Sequence, residues 1–440
     1  MNLPRQFDWV DVSDPVFADV LNRLLYTNEN LNLIGPAGTG KSLLVKMVTS
    51  LLGGNIAICS TTGISAVALN SENIKAVTLH SFFKLKPLPY FPDSLIKPDP
   101  TLYNKMKALD VLIIDEVSML SSHMFDTIFK LLVLYKGSVS KLPRIILFSD
   151  ILQLPPVVDL QTNAEVSEMY RTQYLNKIMF FNSHFFQDME FKTIQLNKLQ
   201  RQKDPQFQDI LNRVRVQQQT KHDLDFLNQF VMPIEEYNEK FLLSMYLAST
   251  NKIVESVNQN YFTLFRGLPT IYKGQVFGTF DLDKINPMDK EIKLKPNMQI
   301  MCTKNNMEEG YQNGSLGKVI ECRPNSVLVE LVNGNEVVVQ KSETHQFEYY
   351  TDTDGKLACK TVGKYVKLDC RASKSVSIHK SQGQTLDAAY MDFGTFQFTH
   401  SMVYVGLSRL KDVNTLGLKR PIKMTDIRAN LESLNFLNTI

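Results

Sequence analysis

Long apolar segments are missing from this chain of 440 residues, since no run approaches the roughly 18 residues that cross a bilayer. The N-terminal stretch MNLPRQFDWVDVSDP is acidic and contains prolines, unlike the apolar part of a signal peptide. We therefore expect a soluble, intracellular protein.

Cysteine is scarce as well. The five cysteines are odd in number and scattered, and no two of them form a C-x-x-C pair. This spacing indicates neither a disulfide framework nor a zinc cluster. We expect reduced, buried thiols.

The chain also lacks a strong excess of charge. It has 48 Lys plus Arg against 45 Asp plus Glu, a formal net charge of +3, so any surface that binds nucleic acid has to be local. Hydrophobic residues make up 44% of the chain, which excludes a disordered or fibrous protein and suffices for two or three domains.

The first third alternates apolar runs with helical patterns, which is typical of a doubly wound parallel sheet. One helix is predicted after the Ser121-Ser122 cap and ends near Gly137. The runs that read as strands buried on both faces are 31–34, 55–60, 111–115 and 144–149.

A second α/β segment begins near residue 195, where Asp204-Pro205 caps a helix and strands are predicted within 242–249 and 388–393. Between these strands, short β-type runs with turns at Asn313-Gly314 and Asn333-Gly334 predict a small antiparallel barrel at about 295–360. A proline-rich insertion at about 63–108 interrupts the first segment.

A glycine-rich loop follows the strand at 31–34 and opens a helical pattern, the context that a G-x-x-x-x-G-K-S loop requires. Its backbone N–H groups would wrap phosphates, while Lys41 offers a charge to the β- and γ-oxygens and Ser42 suits Mg²⁺. A plain strand-to-helix turn is the weaker alternative. The predicted nucleotide-binding residues are Gly35, Pro36, Ala37, Gly38, Thr39, Gly40, Lys41 and Ser42.

Two adjacent carboxylates, Asp115 and Glu116, end the strand at 111–115. Asp115 would ligate Mg²⁺, and Glu116 would orient or deprotonate the attacking water. An acidic pair at a strand end is by itself more often a solvated cap. The phosphate loop favours the catalytic interpretation.

Further candidates for the nucleotide site lie later in the chain. Asp150 and Gln153 follow the strand at 144–149, and Gln153 would touch the γ-phosphate or its water. Arg201 and Arg409 lie outside the phosphate-loop domain. A lone arginine is usually a surface residue, but two arginines reaching across a cleft would neutralise transition-state charge when the domains close.

Polar segments in both halves suit a nucleic acid, because they combine hydroxyls, histidines, a lysine and phenylalanines that bind phosphates and stack on bases. A solvated face is the ordinary alternative for the basic run, and a core position is an equal alternative for Phe82 and Phe83. The predicted contacts are Thr61, Thr62, Gly63, Thr78, His80, Ser81, Phe82, His379, Lys380 and Ser381.

The order of these motifs resembles that of the Pif-type (Pif-one) DNA helicases, in the RecD-like branch of superfamily 1. The resemblance covers residues 31 to 417. It is carried by GPAGTGKS, TTGISAVAL, TLHSFF, IIDEVSML, SDILQLPPV, LQRQKDPQF, SIHKSQGQTLD and YVGLSRLKDV.

This resemblance implies two RecA-like motor domains, residues 1–194 and 195–440, with ATP and Mg²⁺ between them and the barrel inserted in the second. It also implies a monomeric ATP-dependent helicase that moves 5′ to 3′ on single-stranded DNA, unwinds tailed or forked duplexes and works beside replication or repair proteins. By the same resemblance, the catalytic residues are Lys41, Asp115, Glu116, Gln153, Arg201 and Arg409, the metal ligands are Ser42 and Asp115, and Gly383 lies at the nucleotide.

The chain departs from the family pattern at two places. Ser149-Asp150 stands where the family usually has Gly-Asp, and the stretch SDPVFADVL lacks the glutamine that reads adenine, so that Gln6 is the nearest candidate. Two other functions stay open on the sequence. One is a DNA-stimulated ATPase or translocase that does not separate strands, and the other is a P-loop enzyme acting on a small substrate.

Overall fold

The computed structural model describes residues 14–70, 74–85, 99–161, 163–197, 204–282, 290–304, 306, 308–311, 313–394 and 399–440. Arg201 and Gln6 lie outside these ranges, as do parts of the predicted insertion at 63–108. In the described part of the chain, no helix is long and apolar enough to cross a bilayer.

Six parallel strands form the first sheet. They are β1 (Asn30–Ile34), β2 (Ile56–Ser60), β3 (Val77–Thr78), β4 (Val111–Asp115), β5 (Arg144–Ser149) and β6 (Phe191–Gln195). Their order is β3-β2-β4-β5-β1-β6. The four strands predicted from apolar runs are confirmed as β1, β2, β4 and β5. Because β1 and β4 both neighbour β5, their carboxyl ends bring the phosphate loop and the acidic pair to one edge.

Helices cover both faces of this sheet, as expected of a doubly wound fold. The predicted helix after Ser121 is confirmed, because the Ser121 side chain accepts from the Met124 N–H and Gly137 ends the helix at φ 85°. The helices are α1 (Pro15–Tyr26), α2 (Lys41–Leu51), α3 (Gly63–Leu69), α4 (Leu79–Phe82), α5 (Pro100–Ala108), α6 (Ser122–Lys136), α7 (Ala164–Gln173) and α8 (His184–Asp188).

The rest of the chain builds a second parallel sheet and a large antiparallel one. The strands are β7 (Met245–Ala248), β8 (Thr270–Lys273), β9 (Gln275–Gly278), β10 (Glu291–Leu294), β11 (Gln299–Cys302), β12 (Leu316–Cys322), β13 (Ser326–Leu331), β14 (Glu336–Thr351), β15 (Leu357–Leu368), β16 (Cys370–Ala372), β17 (Ser375–Ser377), β18 (Ala389–Asp392) and β19 (Leu416–Leu418). The parallel sheet has the order β17-β7-β18-β19, and it contains both strands predicted for this half.

The helices of this half begin with the predicted one, since the Asp204 carboxylate caps it by accepting from the Phe207 N–H at 3.2 Å. They are α9 (Pro205–Arg215), α10 (Lys221–Asn228), α11 (Ile234–Lys240), α12 (Asn251–Thr263), α13 (Met402–Leu407) and α14 (Leu431–Leu437). Two RecA-like parallel sheets with flanking helices therefore make up the α/β fold. The boundary at residues 194 and 195 stays a prediction.

The antiparallel sheet has seven strands in the order β16-β11-β12-β13-β14-β15-β9, and β8 pairs separately with β10. It spans 275–372 and so exceeds the predicted bounds of 295–360. The turns at Asn313-Gly314 and Asn333-Gly334 are confirmed, with φ of +92° and +81° at the two glycines. Closure of this sheet into a barrel stays a prediction.

Two pieces of the second half pack on the first sheet's helices. The long β14–β15 hairpin buries Tyr349 in the core beneath α4, α5 and α6. On α14, the Phe436 ring stacks on Phe181 with centroids 4.3 Å apart. Local sequence patterns predicted neither contact.

Candidate active site and nucleic-acid surface

The phosphate loop joins β1 to α2 and is held by its own backbone. The Gly35 N–H donates to the Ser149 carbonyl at 3.0 Å, and the Lys41 ammonium donates to the Gly35 and Pro36 carbonyls at 2.7 and 2.8 Å. A Cβ on Gly35 would lie 2.8 Å from the Leu196 carbonyl oxygen, so the position requires glycine. Lys41 thus lies at the mouth of the loop, where phosphate oxygens would replace the carbonyls.

The acidic pair lies at the carboxyl end of β4, beside this loop. Burial raises the pKa of Asp115 to about 7, with a contribution from neighbouring Glu116, and burial also raises the pKa of Glu116. Glu116 has a left-handed backbone with φ 54°, a conformation that is costly outside glycine and concentrated at functional sites. The Lys41 charge opposes both shifts, which places the three groups in one electrostatic cluster.

This cluster fits a divalent cation. The Glu116 Oε2 atom is buried and has no hydrogen-bond partner, and two buried carboxylates gain from a positive charge. Ser42 opens α2 with an exposed side chain, so its hydroxyl is open to a ligand. A hydroxyl, a carboxylate and substrate phosphates are the donor set that Mg²⁺ favours.

The loop after β5 holds the next predicted residues. Asp150 is fully buried, and its Oδ2 atom accepts from the Gln153 amide at 3.1 Å and from the Tyr404 hydroxyl at 2.8 Å. Gln153 in turn accepts from the Gln382 amide at 2.6 Å. Gln153 therefore lies between the phosphate-loop side and the second half of the chain.

Arg215 completes this arrangement, donating through Nε and Nη2 to Asp150 Oδ1 at 3.2 and 3.0 Å. Although burial opposes the charged form, Arg215 and Lys41 hold the pKa of Asp150 below its usual range. Neither Arg215 nor Tyr404 was predicted from the sequence. A signal for Arg215 existed, because it follows Leu211 by four residues and therefore lies on the apolar face of α9.

Arg409 is only 1% exposed, and its charge lowers the pKa of Glu116 against the effect of burial. The structure therefore brings this arginine of the second half toward the acidic pair. Gly383 lies in the exposed turn beside it, with φ +80°. The guanidinium donates to the carbonyls of Ser381, Gln384 and Val405 at 3.5, 3.2 and 3.0 Å and to the Ser408 hydroxyl at 2.8 Å.

Most of the predicted nucleic-acid residues of the first half are partly exposed at one edge of the sheet, close to the acidic pair. The Thr61 hydroxyl donates to the Glu116 carbonyl at 3.1 Å, and Thr62 accepts from the Ser65 N–H at 3.1 Å. Thr78 caps α4 by accepting from the Ser81 N–H at 3.2 Å. A small cleft of about 50 Å³ separates Gly63, Thr78 and Ser81 from Phe280, His345 and Phe347 of the inserted region.

Two predicted contacts need correction. Phe82 is 2% exposed and packs against Phe83, Tyr349 and the Lys105 ammonium, so it belongs to the core and does not offer a face to a base. Ser381 is fully buried, and its hydroxyl donates to the Ile378 carbonyl at 2.8 Å. Both residues are of a type that can contact nucleic acid, but tertiary packing points their side chains into the core.

The remaining candidates differ in burial. Burial lowers the pKa of His80 and of His379, so both rings are mostly neutral at neutral pH. Lys380 is exposed, so of the predicted contacts in this segment it is the most accessible to solvent.

Comparison with known proteins agrees with this site. A profile described as PIF1-like helicase matches residues 13–224. The chain is 27% identical to the ATP-dependent DNA helicase Pif1 of Bdellovibrio bacteriovorus, over 90% of this chain and 85% of the relative. It is 26% identical to the Pif1 of Campylobacter jejuni, over 91% and 90% of the two chains.

The fold is similar as well. The crystal structure of Bacteroides sp Pif1 in complex with ADP-AlF4 superposes with a TM-score of 0.87 at 25% identity, covering 98% of this chain and 97% of that one. Bacteroides Pif1 bound to ssDNA gives a TM-score of 0.67 at 26% identity.

Two RecA-like sheets, a phosphate loop, an acidic pair and an arginine from the second half are the arrangement of a P-loop helicase. Within that class the chain is similar in sequence and fold to the Pif1-like helicases.

Proposed function

We propose that this chain is an ATP-dependent DNA helicase that moves 5′ to 3′ on single-stranded DNA and separates duplexes. The observation that carries the proposal is the meeting of Lys41, Glu116 and Arg409 in one buried electrostatic cluster. Two of these groups come from the phosphate-loop half and one from the other half. ATP held between them would link turnover to the relative position of the two halves.

Each residue of the cluster has a separate task. Lys41 would exchange its two loop carbonyls for β- and γ-phosphate oxygens. Glu116, whose pKa is raised by burial, would accept a proton from the attacking water. Arg409 would stabilise charge on the transferred phosphoryl group. Mg²⁺, held through Ser42 and Asp115, supplies charge neutralisation on the phosphates when bound.

Single-stranded DNA would run over the surface formed by Gly63, Thr78 and Ser81 beside Phe280 and His345, then continue to His379 and Lys380, because the cleft of about 50 Å³ between them is too small to enclose a nucleotide. Thr61 supports this path, because it lies two residues before Gly63 and its hydroxyl donates to the backbone carbonyl of Glu116. A shift of Glu116 when the nucleotide changes would therefore reach the DNA strand through Thr61.

The test compares duplexes with a 5′ tail, a 3′ tail and blunt ends, in the presence of ATP and Mg²⁺. We expect unwinding of the 5′-tailed duplex alone and DNA-stimulated ATP turnover. Affinity for single-stranded DNA should fall steeply with salt, since phosphate contacts release counterions. Unwinding from a 3′ tail alone would overturn the direction. DNA-stimulated turnover without strand separation would identify a translocase, and turnover indifferent to DNA would leave a P-loop enzyme for a small substrate.

A further inference from the structure

The segment Asp150–Leu154, here named the coupling loop, begins at a strand of the first sheet and is bound by both halves of the chain. Ile151 and Leu152 are 0% exposed and pack in the core of the first half. Leu154 is 1% exposed and packs in the core formed by α9, α13 and the second parallel sheet. Gln153 accepts from Gln382, which lies beyond β17. The loop therefore connects the two halves, with Ile151 and Leu152 packed in the first and Gln153 and Leu154 in contact with the second.

Asp150 is the strongest anchor in this loop. Arg215 donates twice to its Oδ1 atom and Tyr404 donates to its Oδ2 atom, while Asp150 is 0% and Arg215 4% exposed. A buried carboxylate with charged and neutral donors on both oxygens has no low-energy alternative, because losing one partner leaves a desolvated charge. The contact of Asp150 with Arg215 and Tyr404 therefore holds the two halves of the chain together.

The contact at Asp150 is also connected to the phosphate loop by hydrogen bonds. Ser149, immediately before Asp150, accepts the Gly35 N–H at 3.0 Å, and the Tyr404 hydroxyl accepts the Ala37 N–H at 3.4 Å. A displacement of the second half would therefore reach Gln153 and Ala37 through direct hydrogen bonds, and Gly35 through the Ser149 carbonyl next to Asp150.

We propose that Arg215 and Tyr404 are positioning residues, which set the coupling loop and the mouth of the phosphate loop according to the position of the second half. The proposal rests on the ATP turnover proposed above. Neither side chain needs to touch the nucleotide, since both act through Asp150. Arginine is required at 215 because Nε and Nη2 both reach one carboxylate oxygen, which a lysine ammonium cannot reproduce.

The experiment measures kcat and KM for ATP, with and without single-stranded DNA, in the full chain. Arg215→Gln should lower the DNA-stimulated kcat by about 10- to 100-fold, as expected of a misplaced active site, with a smaller change in KM. Arg215→Lys should recover only part of this loss. Arg213→Gln is the control, because Arg213 lies on the same helix and also donates two hydrogen bonds to a carboxylate, one to each oxygen of Asp223 at 2.8 and 2.6 Å, within the second half.

Because Arg215→Gln leaves a buried carboxylate without its charged partner and so risks a folding defect, Tyr404→Phe provides a second variant that removes one hydroxyl and keeps the ring. It should lower the DNA-stimulated kcat in the same direction. Both variants should also reduce the change in single-stranded DNA affinity that ADP-aluminium fluoride causes in the unaltered chain, an effect that simple loss of stability would not produce.

Equal losses in the Arg215 and Arg213 variants would overturn the proposal, and so would a raised KM with unchanged kcat. An unaltered response of DNA affinity to the nucleotide in Tyr404→Phe would overturn it too. If the unaltered chain hydrolyses ATP without stimulation by DNA, the proposed helicase function fails, while the comparison of Arg215 with Arg213 in unstimulated turnover still decides this proposal.

Discussion

The ring of Tyr349, on the long β14–β15 hairpin, meets Phe82 of the first domain edge-on, with centroids 5.3 Å apart and planes at 79°. The Tyr349 hydroxyl donates to the Lys75 carbonyl at 2.8 Å and accepts from the Ile58 N–H at 3.3 Å. Through Tyr349, the inserted sheet therefore packs on the first domain directly beside the residues proposed to bind DNA.

Tyr349→Phe should weaken this contact without creating a cavity. It leaves the Lys75 carbonyl and the Ile58 N–H without their shared partner, which we expect to cost about 1–3 kcal/mol of stability. Thermal unfolding should show a midpoint lower by several degrees. Tyr350→Phe is the control, since that neighbouring side chain is 39% exposed and should change the midpoint little. Equal shifts in the two variants would argue against a fastening role.

Glu116→Gln should retain ATP affinity and lose turnover by about 10²- to 10⁴-fold, because it keeps the size of the side chain but removes the base. Lys41→Ala should abolish turnover by removing the charge directed at the phosphates. The checks are nucleotide binding and steady-state ATP hydrolysis on long single-stranded DNA. Glu168→Gln, at an exposed carboxylate, serves as the control. Turnover within a few-fold of the unaltered chain in Glu116→Gln would remove Glu116 from the mechanism.

Arg409→Lys should lose on the order of 10³-fold in DNA-stimulated turnover while still binding DNA and nucleotide, because a point charge lacks the planar fork of an arginine. Lysine is preferable to alanine here, since Arg409 is buried and its loss would strand the Gln384 carbonyl. Arg420→Lys, which alters an ion pair to Asp426 elsewhere in the same half, controls for stability. Near-normal turnover in the Arg409 variant would mean that the second half does not complete the site.

The buried side chain of Lys105 should make the stability of the fold depend on pH. Burial lowers its pKa to about 8, while an unfolded lysine titrates near 10.4. Between these values the unfolded chain binds more protons, so the contribution of Lys105 to stability rises with pH across that window and is lowest below pH 8. Lys105→Met removes the titrating group. Its thermal midpoint should therefore fall relative to the unaltered chain as pH increases from 8 to 10.

Lys107→Met is the matched control for this prediction, because Lys107 lies on the same helix and is exposed. Its midpoint should follow the unaltered chain at every pH. A difference between Lys105→Met and the unaltered chain that stays constant from pH 7 to pH 10 would show that Lys105 titrates as an ordinary lysine.

The sequence by itself determined the phosphate loop, the acidic pair, the main strands of both parallel sheets, the capped helices and the order of motifs that resembles the Pif-type helicases. These features depend on residues that are close in the chain, where glycine conformation, capping and apolar periodicity act directly. Lys41 and Ser42 could be predicted from the phosphate-loop motif, and Asp115 and Glu116 from their position at the end of a buried strand.

Only the tertiary structure decided which distant side chains meet and which predicted contacts are buried. Arg215 and Tyr404 reach Asp150 across 65 and 254 residues of chain, and Tyr349 reaches Lys75 across 274. Phe82 and Ser381 have the residue types of nucleic-acid contacts, but packing turns both inward. The physical reason is the same in each case, since burial and pairing over such separations depend on how whole sheets and helices pack rather than on local preference.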